Sequence, residues 1–205
     1  MLDGRRSDTA WAWFAPQTSD CAPLDRRAYP SIEFLGRPIA WPDWACRAPD
    51  GGIHIDARRT RLDIHLAKEP KAKLEFTWTG NFGARLVARP WLSLIEDLID
   101  EEDGIFTGEV LRGERRVEAW TSLHGRLAPP LLSSDGQVKA CPICGDVYSM
   151  LKGRTFFASP AARSKPLIVN RSGIFIRRDI FEQREIPTPV GAFKPSWVWL
   201  EEGGG

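Results

Sequence analysis

The 205-residue sequence has few of the residues from which disulfide frameworks and catalytic sites are usually built. It contains only four cysteines and three histidines. It has no GxSxG nucleophile elbow, no P-loop, no HExxH helix and no GxGxxG dinucleotide motif. The sequence therefore predicts a protein that is not an enzyme.

Long apolar runs are also missing. No stretch approaches 18 consecutive apolar residues, so we expect no transmembrane helix and no membrane partner. The first residues, MLDGRRSDTAWAWFAP, are charged and then aromatic, which is not the pattern of a secretory signal peptide. We therefore expect a cytoplasmic protein, in which four cysteines indicate reduced thiols or metal ligands rather than disulfides.

Charges of the two signs nearly cancel over the whole chain, but they are unevenly distributed along it. The net charge is +1 and the isoelectric point is about 7.7, so the bulk charge favours no nucleic-acid partner. Residues 91–118 contain nine acidic residues and three arginines, whereas residues 151–194 contain nine basic residues and three acidic ones. This distribution predicts polar faces of opposite sign, which suits the steering of a charged partner.

The apolar pattern predicts an α+β fold dominated by antiparallel strands. We expect a single domain over residues 1–202, followed by a tail at 203–205. Within it, 1–50 is rich in Pro and Trp and should wrap irregularly on the core, while 51–202 should hold the sheet, a few short helices and a CPICG turn that resembles a zinc ribbon.

Three stretches carry most of that prediction. GARLVARPWLSLIEDLIDEEDG (83–104) reads as a short strand followed by a helix that begins near Pro90 and ends at Gly104. Residues 105–125 read as a hairpin that turns at 112–114. LIVNRSGIFIRRDIFEQ (167–183) repeats the pattern of a strand followed by a helix.

The segment IHIDARRTRLDIHLA (53–67) alternates apolar and polar residues, which predicts a hairpin with one apolar face and one polar face. On its polar face two histidines and two aspartates would meet in pairs. A solvated sheet face is the preferred interpretation of this set, and a metal site is the alternative. Its members are His54, Asp56, Asp63 and His65.

The segment ACPICGDVYS (140–149) contains the only CxxC of the chain. Two thiolates at this spacing reach one ion, but a structural zinc site needs four ligands. The remaining candidates are Cys21, Cys46, His54, His65 and His124, and the all-cysteine choice is Cys21, Cys46, Cys141 and Cys144. The alternatives are a redox dithiol and a turn whose thiols pack as small apolar groups.

Several short stretches around this turn resemble a known family. They are YPSIEF (29–34), FGARLVARPWLSLIEDL (82–98), LHGRLAPP (123–130), the CPICG turn itself and LIVNRSGIFIRRDIFEQ (167–183). In this order they are similar to the double-CxxCG-motif proteins, a group of bacterial immunity proteins paired with contact-delivered toxins. Where that family has its first CxxCG, this chain has TSDCAPLDRRAYP (18–30), with Cys21 alone.

The resemblance implies a protein that binds a cognate toxin stoichiometrically and occludes its active site, with zinc as the possible cofactor. We expect the toxin contact at an acidic segment, residues 96–103, that would fit a basic cleft. Its carboxylates are Glu96, Asp97, Asp100, Glu101, Glu102 and Asp103.

An alternative is a nucleic-acid-binding module that uses the basic 151–194 region to contact phosphates. The candidate contacts are Arg154, Arg163, Lys165, Arg171, Arg177, Arg178 and Arg184.

Overall fold

The protein is mostly β-structure, which corrects the predicted α+β class. The computed structural model describes residues 6–17, 21–34, 36–47, 53–80, 83–126 and 128–201. Strands account for 44% and helices for 9%, and the strands are organised around two curled sheets. The helical segments are too short to form a layer of their own, so the core lies between and around sheets.

The larger sheet has six strands in the order β11-β14-β17-β1-β16-β15. Its neighbours are antiparallel except for β14 and β17, which run parallel. The strands are β1 (Arg6–Phe14), β11 (Leu132–Ser133), β14 (Thr155–Phe157), β15 (Leu167–Asn170), β16 (Gly173–Arg177) and β17 (Ser196–Glu201).

The smaller sheet has five strands in the order β6-β9-β10-β8-β7. The β6–β9 pair is parallel, and the other pairs are antiparallel. The hairpin predicted at 112–114 is confirmed as the β9–β10 connection. The strands are β6 (Ile64–His65), β7 (Phe76–Trp78), β8 (Arg85–Ala88), β9 (Ile105–Arg112) and β10 (Arg115–Gly125).

Three two-stranded ribbons complete the described fold. Two of them carry the residues of the candidate site, and each pairs antiparallel. The ribbons are β2 (Ser31–Phe34) with β3 (Arg37–Ala40), β4 (Ala45–Arg47) with β5 (Ile53–Ile55), and β12 (Gln137–Ala140) with β13 (Val147–Met150).

The main core lies where the two sheets pack on each other. Phe14 and Ile174 from the larger sheet share it with Phe76 and Leu123 from the smaller one. At one crossing the backbones approach so closely that a Cβ on Gly125 would lie 1.6 Å from the carbonyl oxygen of Val169. Glycine is therefore required at the end of β10, next to the candidate site.

Strand β1 contradicts the prediction that residues 1–50 are irregular. Trp11 and Trp13 pack into one core cluster, while Ala12 and Phe14 pack into another. Both faces of the strand are covered, so its sequence does not alternate between apolar and polar residues. β2, β3 and β4 add further strands to the same segment.

The helix predicted after Pro90 is much shorter than expected. Helix α1 covers only Arg89–Leu92, and a 3-10 turn follows at Glu96–Leu98. The Ser93 hydroxyl donates to the Pro90 carbonyl oxygen at 2.8 Å, and the next amides bond three residues back instead of four. Such local bonding competes with the α-helical pattern. The second predicted helix is present as α2 (Arg178–Gln183).

The hairpin predicted over 53–67 is also wrong. β5 pairs with β4, and β6 pairs in parallel with β9. His54 is buried, whereas His65 packs against Tyr29 at the other end of this segment. The four-residue polar cluster proposed for that hairpin therefore does not form.

Two further expectations concern membranes and the tail. Within the described ranges, no helix is long and apolar enough to cross a membrane. The predicted tail at 203–205 lies outside the described residues.

Candidate metal centre

The first half of the site comes from the ribbon of β4 and β5. Cys46 and His54 are directly opposite each other across the antiparallel pair. Opposed residues of an antiparallel pair project from the same face of the ribbon. Their side chains are 4% and 1% exposed, so this face points into the protein.

The second half is the CPICG turn between β12 and β13. The Gly145 amide donates to the Cys141 carbonyl oxygen at 2.9 Å, and the Cys141 amide donates to the Asp146 carbonyl oxygen at 2.8 Å. Gly145 has a φ of 77°, a conformation that glycine adopts without strain. This closed turn holds both thiols on its inner side, where Cys141 and Cys144 are buried.

The two halves meet in one cluster of four potential ligands. Cys46, His54, Cys141 and Cys144 each offer one atom, and these atoms lie within 4.8 Å of one another. The Cys46 and Cys141 sulfurs are 3.8 Å apart, and His54 Nε2 lies 3.2 Å from the Cys144 sulfur. Two sulfurs bound tetrahedrally to one zinc ion at about 2.3 Å would be about 3.8 Å apart. The spacing therefore fits a metal ion at the centre.

Backbone amides point at the two sulfurs of the turn. The Cys141 sulfur accepts bonds from the amides of Cys144 and Ile143, and the Cys144 sulfur accepts from those of Ala57 and Asp146. Burial raises the pKa of Cys141, but these amide bonds, together with the side-chain bonds of Cys144 and Cys46, leave it lowered. The pKa of Cys144 remains raised, chiefly by burial. Amides directed at sulfur stabilise thiolates and are the usual outer shell of a metal-bound cysteine.

For Cys46, no amide bonds from the described residues offset the effect of burial on the pKa. Burial, with the neighbouring Cys141 and Cys144 thiols, raises it to about 12. The guanidinium of Arg58 interacts electrostatically with Cys144 and Cys46, but it is already held by two bonds to Asp56, at 2.9 and 2.6 Å. A divalent cation at the centre would supply the charge that three buried thiolates need.

No protein-family model and no curated protein matches this chain. The site is therefore interpreted from its own geometry.

The structure brings together three of the four cysteines proposed as ligands. Cys21 is exposed and lies near Gly80, at the edge of the smaller sheet, outside the cluster. His54, and not Cys21 as in the predicted all-cysteine set, is the fourth potential ligand of the cluster. The sequence contained one usable signal: APDGG (48–52) separates Cys46 from His54 and has the composition of a tight turn between two strands.

The other two candidate histidines lie outside the cluster as well. His65 stacks edge-on against Tyr29 at 5.7 Å. His124 is buried near the end of β10, where it lines a small cavity together with His54.

The acidic segment, residues 96–103, lies away from the metal cluster and is partly neutralised. Asp97 receives two bonds of 2.7 Å from Arg184, and Asp103 receives one of 2.8 Å from Lys165. The remaining carboxylates are exposed, and two of them line a polar cleft of about 430 Å³ that also contains three arginines. The exposed carboxylates are Glu96, Asp100, Glu101 and Glu102.

Most of the basic residues proposed to contact phosphates are engaged in ion pairs. The pairs are Arg154 with Glu201, Lys165 with Asp103, Arg177 with Asp179, Arg178 with Glu182 and Arg184 with Asp97. Arg178 also lies 5.2 Å from the centre of the exposed Trp197 ring. Three of these acids, Glu201, Asp103 and Asp97, lie outside 151–194, so they offset half of the excess of six positive charges in that region.

Proposed function

We propose that this protein binds one Zn²⁺ ion through Cys46, His54, Cys141 and Cys144, and that the ion is structural. The observation that carries the proposal is the convergence of four buried ligand atoms within 4.8 Å. Three sulfurs and one imidazole nitrogen are a common ligand set for structural zinc.

The closed ligand set supports a structural role rather than a catalytic one. Catalytic zinc keeps one position for water or substrate, whereas four protein ligands complete a tetrahedron. The ion would join the β4–β5 ribbon to the β12–β13 ribbon, two elements about 90 residues apart in sequence. Such a link stabilises the fold because the site exists only when both ribbons are in place.

The test is the zinc content of the chain purified without chelator. We expect about one zinc per chain in the wild type and a large loss in Cys46→Ser and Cys144→Ser. Cys21→Ser is the matched control, because it removes a thiol outside the cluster and should leave the zinc content unchanged. Zinc-free wild-type protein, or loss of zinc only in Cys21→Ser, would refute the proposal.

We further propose that this zinc-stabilised scaffold is an immunity protein that covers the active site of a cognate toxin. The resemblance around the CPICG turn supports this proposal, as does the cluster of exposed carboxylates in the acidic segment. Toxins that act on nucleic acids present basic clefts, and complementary charge accelerates and orients such an encounter. The ion pairs of the basic region favour a protein partner over the nucleic-acid alternative.

Co-expression with a candidate toxin, chosen from the genes adjacent to the one for this chain, tests the immunity proposal. Growth should be restored, and the purified proteins should form a 1:1 complex. Glu101→Gln with Glu102→Gln should weaken the complex, whereas Glu114→Gln with Glu118→Gln removes the same charge from β10 and its turn and should not. Continued killing by the toxin would contradict immunity, and equal effects of the two double variants would contradict the acidic contact.

A further inference from the structure

A second polar site lies directly beside the metal cluster. A cavity of about 20 Å³ opens where β5, the start of β8, the end of β10 and the turn after β15 meet. Its polar lining consists of His54, Arg85, His124, Asp146, Asn170 and Arg171. A void needs about 10–15 Å³ to hold one water molecule, so this one has room for a single small occupant.

Of the residues that line this cavity, Arg85 and His124 each have a buried side-chain nitrogen without a hydrogen-bond partner in the described part of the chain. These nitrogens are Nε of Arg85 and Nε2 of His124. Arg85 is 4% exposed and His124 is 5% exposed, so bulk water does not satisfy them. Buried polar atoms are nearly always bonded, and each missing bond costs about 1–3 kcal/mol. A small occupant within hydrogen-bond distance of both nitrogens would remove both costs.

The tautomer of His124 defines what that occupant must offer. His124 donates a hydrogen bond to the backbone of Arg59, and because Nε2 has no partner, the donor is Nδ1. Nε2 of the neutral ring is then a hydrogen-bond acceptor. Burial and the nearby Arg85 guanidinium lower the pKa of His124 to about 4, which agrees with a neutral ring.

The two atoms therefore have opposite requirements. Arg85 Nε carries a hydrogen and needs an acceptor, whereas His124 Nε2 carries a lone pair and needs a donor. A water molecule is both, and its second hydrogen can bond to the Asp146 carboxylate on the same cavity wall. A halide would accept from Arg85 but would face the lone pair of His124.

We propose that this cavity binds one ordered water molecule that accepts from Arg85 Nε and donates to His124 Nε2. The water completes a polar junction between the metal-bearing ribbon, the smaller sheet and the β15–β16 turn. It also explains how the sheet accommodates the buried Arg85 side chain, whose Nη1 donates to the Gly83 carbonyl oxygen at 3.0 Å.

A crystal structure of the full chain, grown in bromide and measured at the bromine absorption edge, tests the proposal. We expect one density peak within about 2.7–3.2 Å of both nitrogens and no anomalous signal at that peak. An anomalous bromide peak would show an anion site instead, and an empty cavity would also overturn the proposal. The zinc edge, measured on the same crystal, reports separately on the metal centre.

Nitrogen NMR of the His124 ring provides a second, independent test at neutral pH. We expect a protonated Nδ1 and an unprotonated Nε2 that accepts a hydrogen bond. A ring protonated at Nε2 would contradict the proposal, because Nε2 would then donate and could not accept a hydrogen bond from the water.

Discussion

Cys46 and His54 lie directly opposite each other across the β4–β5 ribbon. Their register decides whether the ribbon contributes two ligands or one. A slip of one residue would move one of the two side chains to the opposite face, away from the CPICG turn. The pairing of this short ribbon is therefore the local feature on which the proposed metal centre depends.

Replacement of His54 tests its proposed role as a ligand. We expect His54→Ala to lose most of its zinc, because only three of the four ligands that a structural zinc site needs would remain. His54→Cys should retain zinc, because a thiolate replaces the imidazole. Metal content after extensive dialysis measures both effects. His65→Ala is the control from the adjoining segment, and zinc loss in this variant equal to that in His54→Ala would contradict the assignment.

Removal of the metal should lower thermal stability. An ion present at about 1,000 times its dissociation constant stabilises the folded state by about 4 kcal/mol. In a chain of this length, 1 kcal/mol corresponds to about 2–4 °C, so chelation should lower Tm by about 8–16 °C. Calorimetry with and without chelator measures the shift. Cys21→Ser should show the same shift, whereas Cys144→Ser should already melt at the lower temperature and respond little to chelator.

Part of this centre could be predicted from the sequence. Cys141 and Cys144 are recognisable from their spacing, and Cys46 followed from counting the remaining thiols. His54 is one of five candidates for the remaining ligands, but the clean alternation of apolar residues predicts that it lies on the polar face of a hairpin with residues 62–66. Alternation identifies the strand but not its partner, and the true partner, β4, has only three residues.

Gly125→Ala should be one of the most damaging small substitutions in the protein. The added methyl group would lie 1.6 Å from the Val169 carbonyl oxygen, so the two sheets would have to separate. We expect a loss of about 3 kcal/mol or more in the free energy of unfolding. Gly36→Ala is the control, because no atom of the described residues beyond its chain neighbours lies within 4 Å of the added methyl group. Only the backbone conformation, with a φ of 72°, disfavours alanine there, and it should cost about 1–2 kcal/mol in the free energy of unfolding. Urea denaturation that gave equal losses would contradict the close crossing.

The ion pair of Asp97 and Arg184 should make stability depend on pH in a defined direction. The Arg184 guanidinium lowers the pKa of Asp97 below the usual value of about 3.9. A carboxyl with a lowered folded-state pKa contributes stability above its unfolded pKa and loses it as the pH falls through its folded pKa. The wild type should therefore exceed Arg184→Gln in stability at pH 7, by a small amount because both side chains are partly exposed.

Urea denaturation of both proteins at about pH 7 and about pH 2.5 checks this expectation. The difference in unfolding free energy should shrink toward the acid pH, because the contribution of the pair is lost as the pH falls through the folded-state pKa of Asp97. A difference that stays constant between the two pH values would show that Arg184 acts through its other contact, the Leu94 carbonyl oxygen at 3.2 Å.

As with the metal centre, the elements of the fold could be predicted only where a local sequence pattern determines them. The β9–β10 hairpin and the strand–helix pair β16–α2 were predictable, because each depends on local turns and alternation. β1 was missed because apolar side chains cover both of its faces. The helix after Pro90 was overestimated because a helical apolar stripe cannot show that the Ser93 side chain bonds the backbone and tightens the turn.

X-ray absorption at the zinc edge tests the central claim most directly, because it identifies the atoms bound to the metal. For the wild type we predict three sulfurs at about 2.3 Å and one nitrogen at about 2.0–2.1 Å. His54→Cys should change this shell to four sulfurs, and Cys21→Ser should leave it unchanged. A wild-type shell of four sulfurs, or one of only oxygen and nitrogen, would contradict the site formed by Cys46, His54, Cys141 and Cys144.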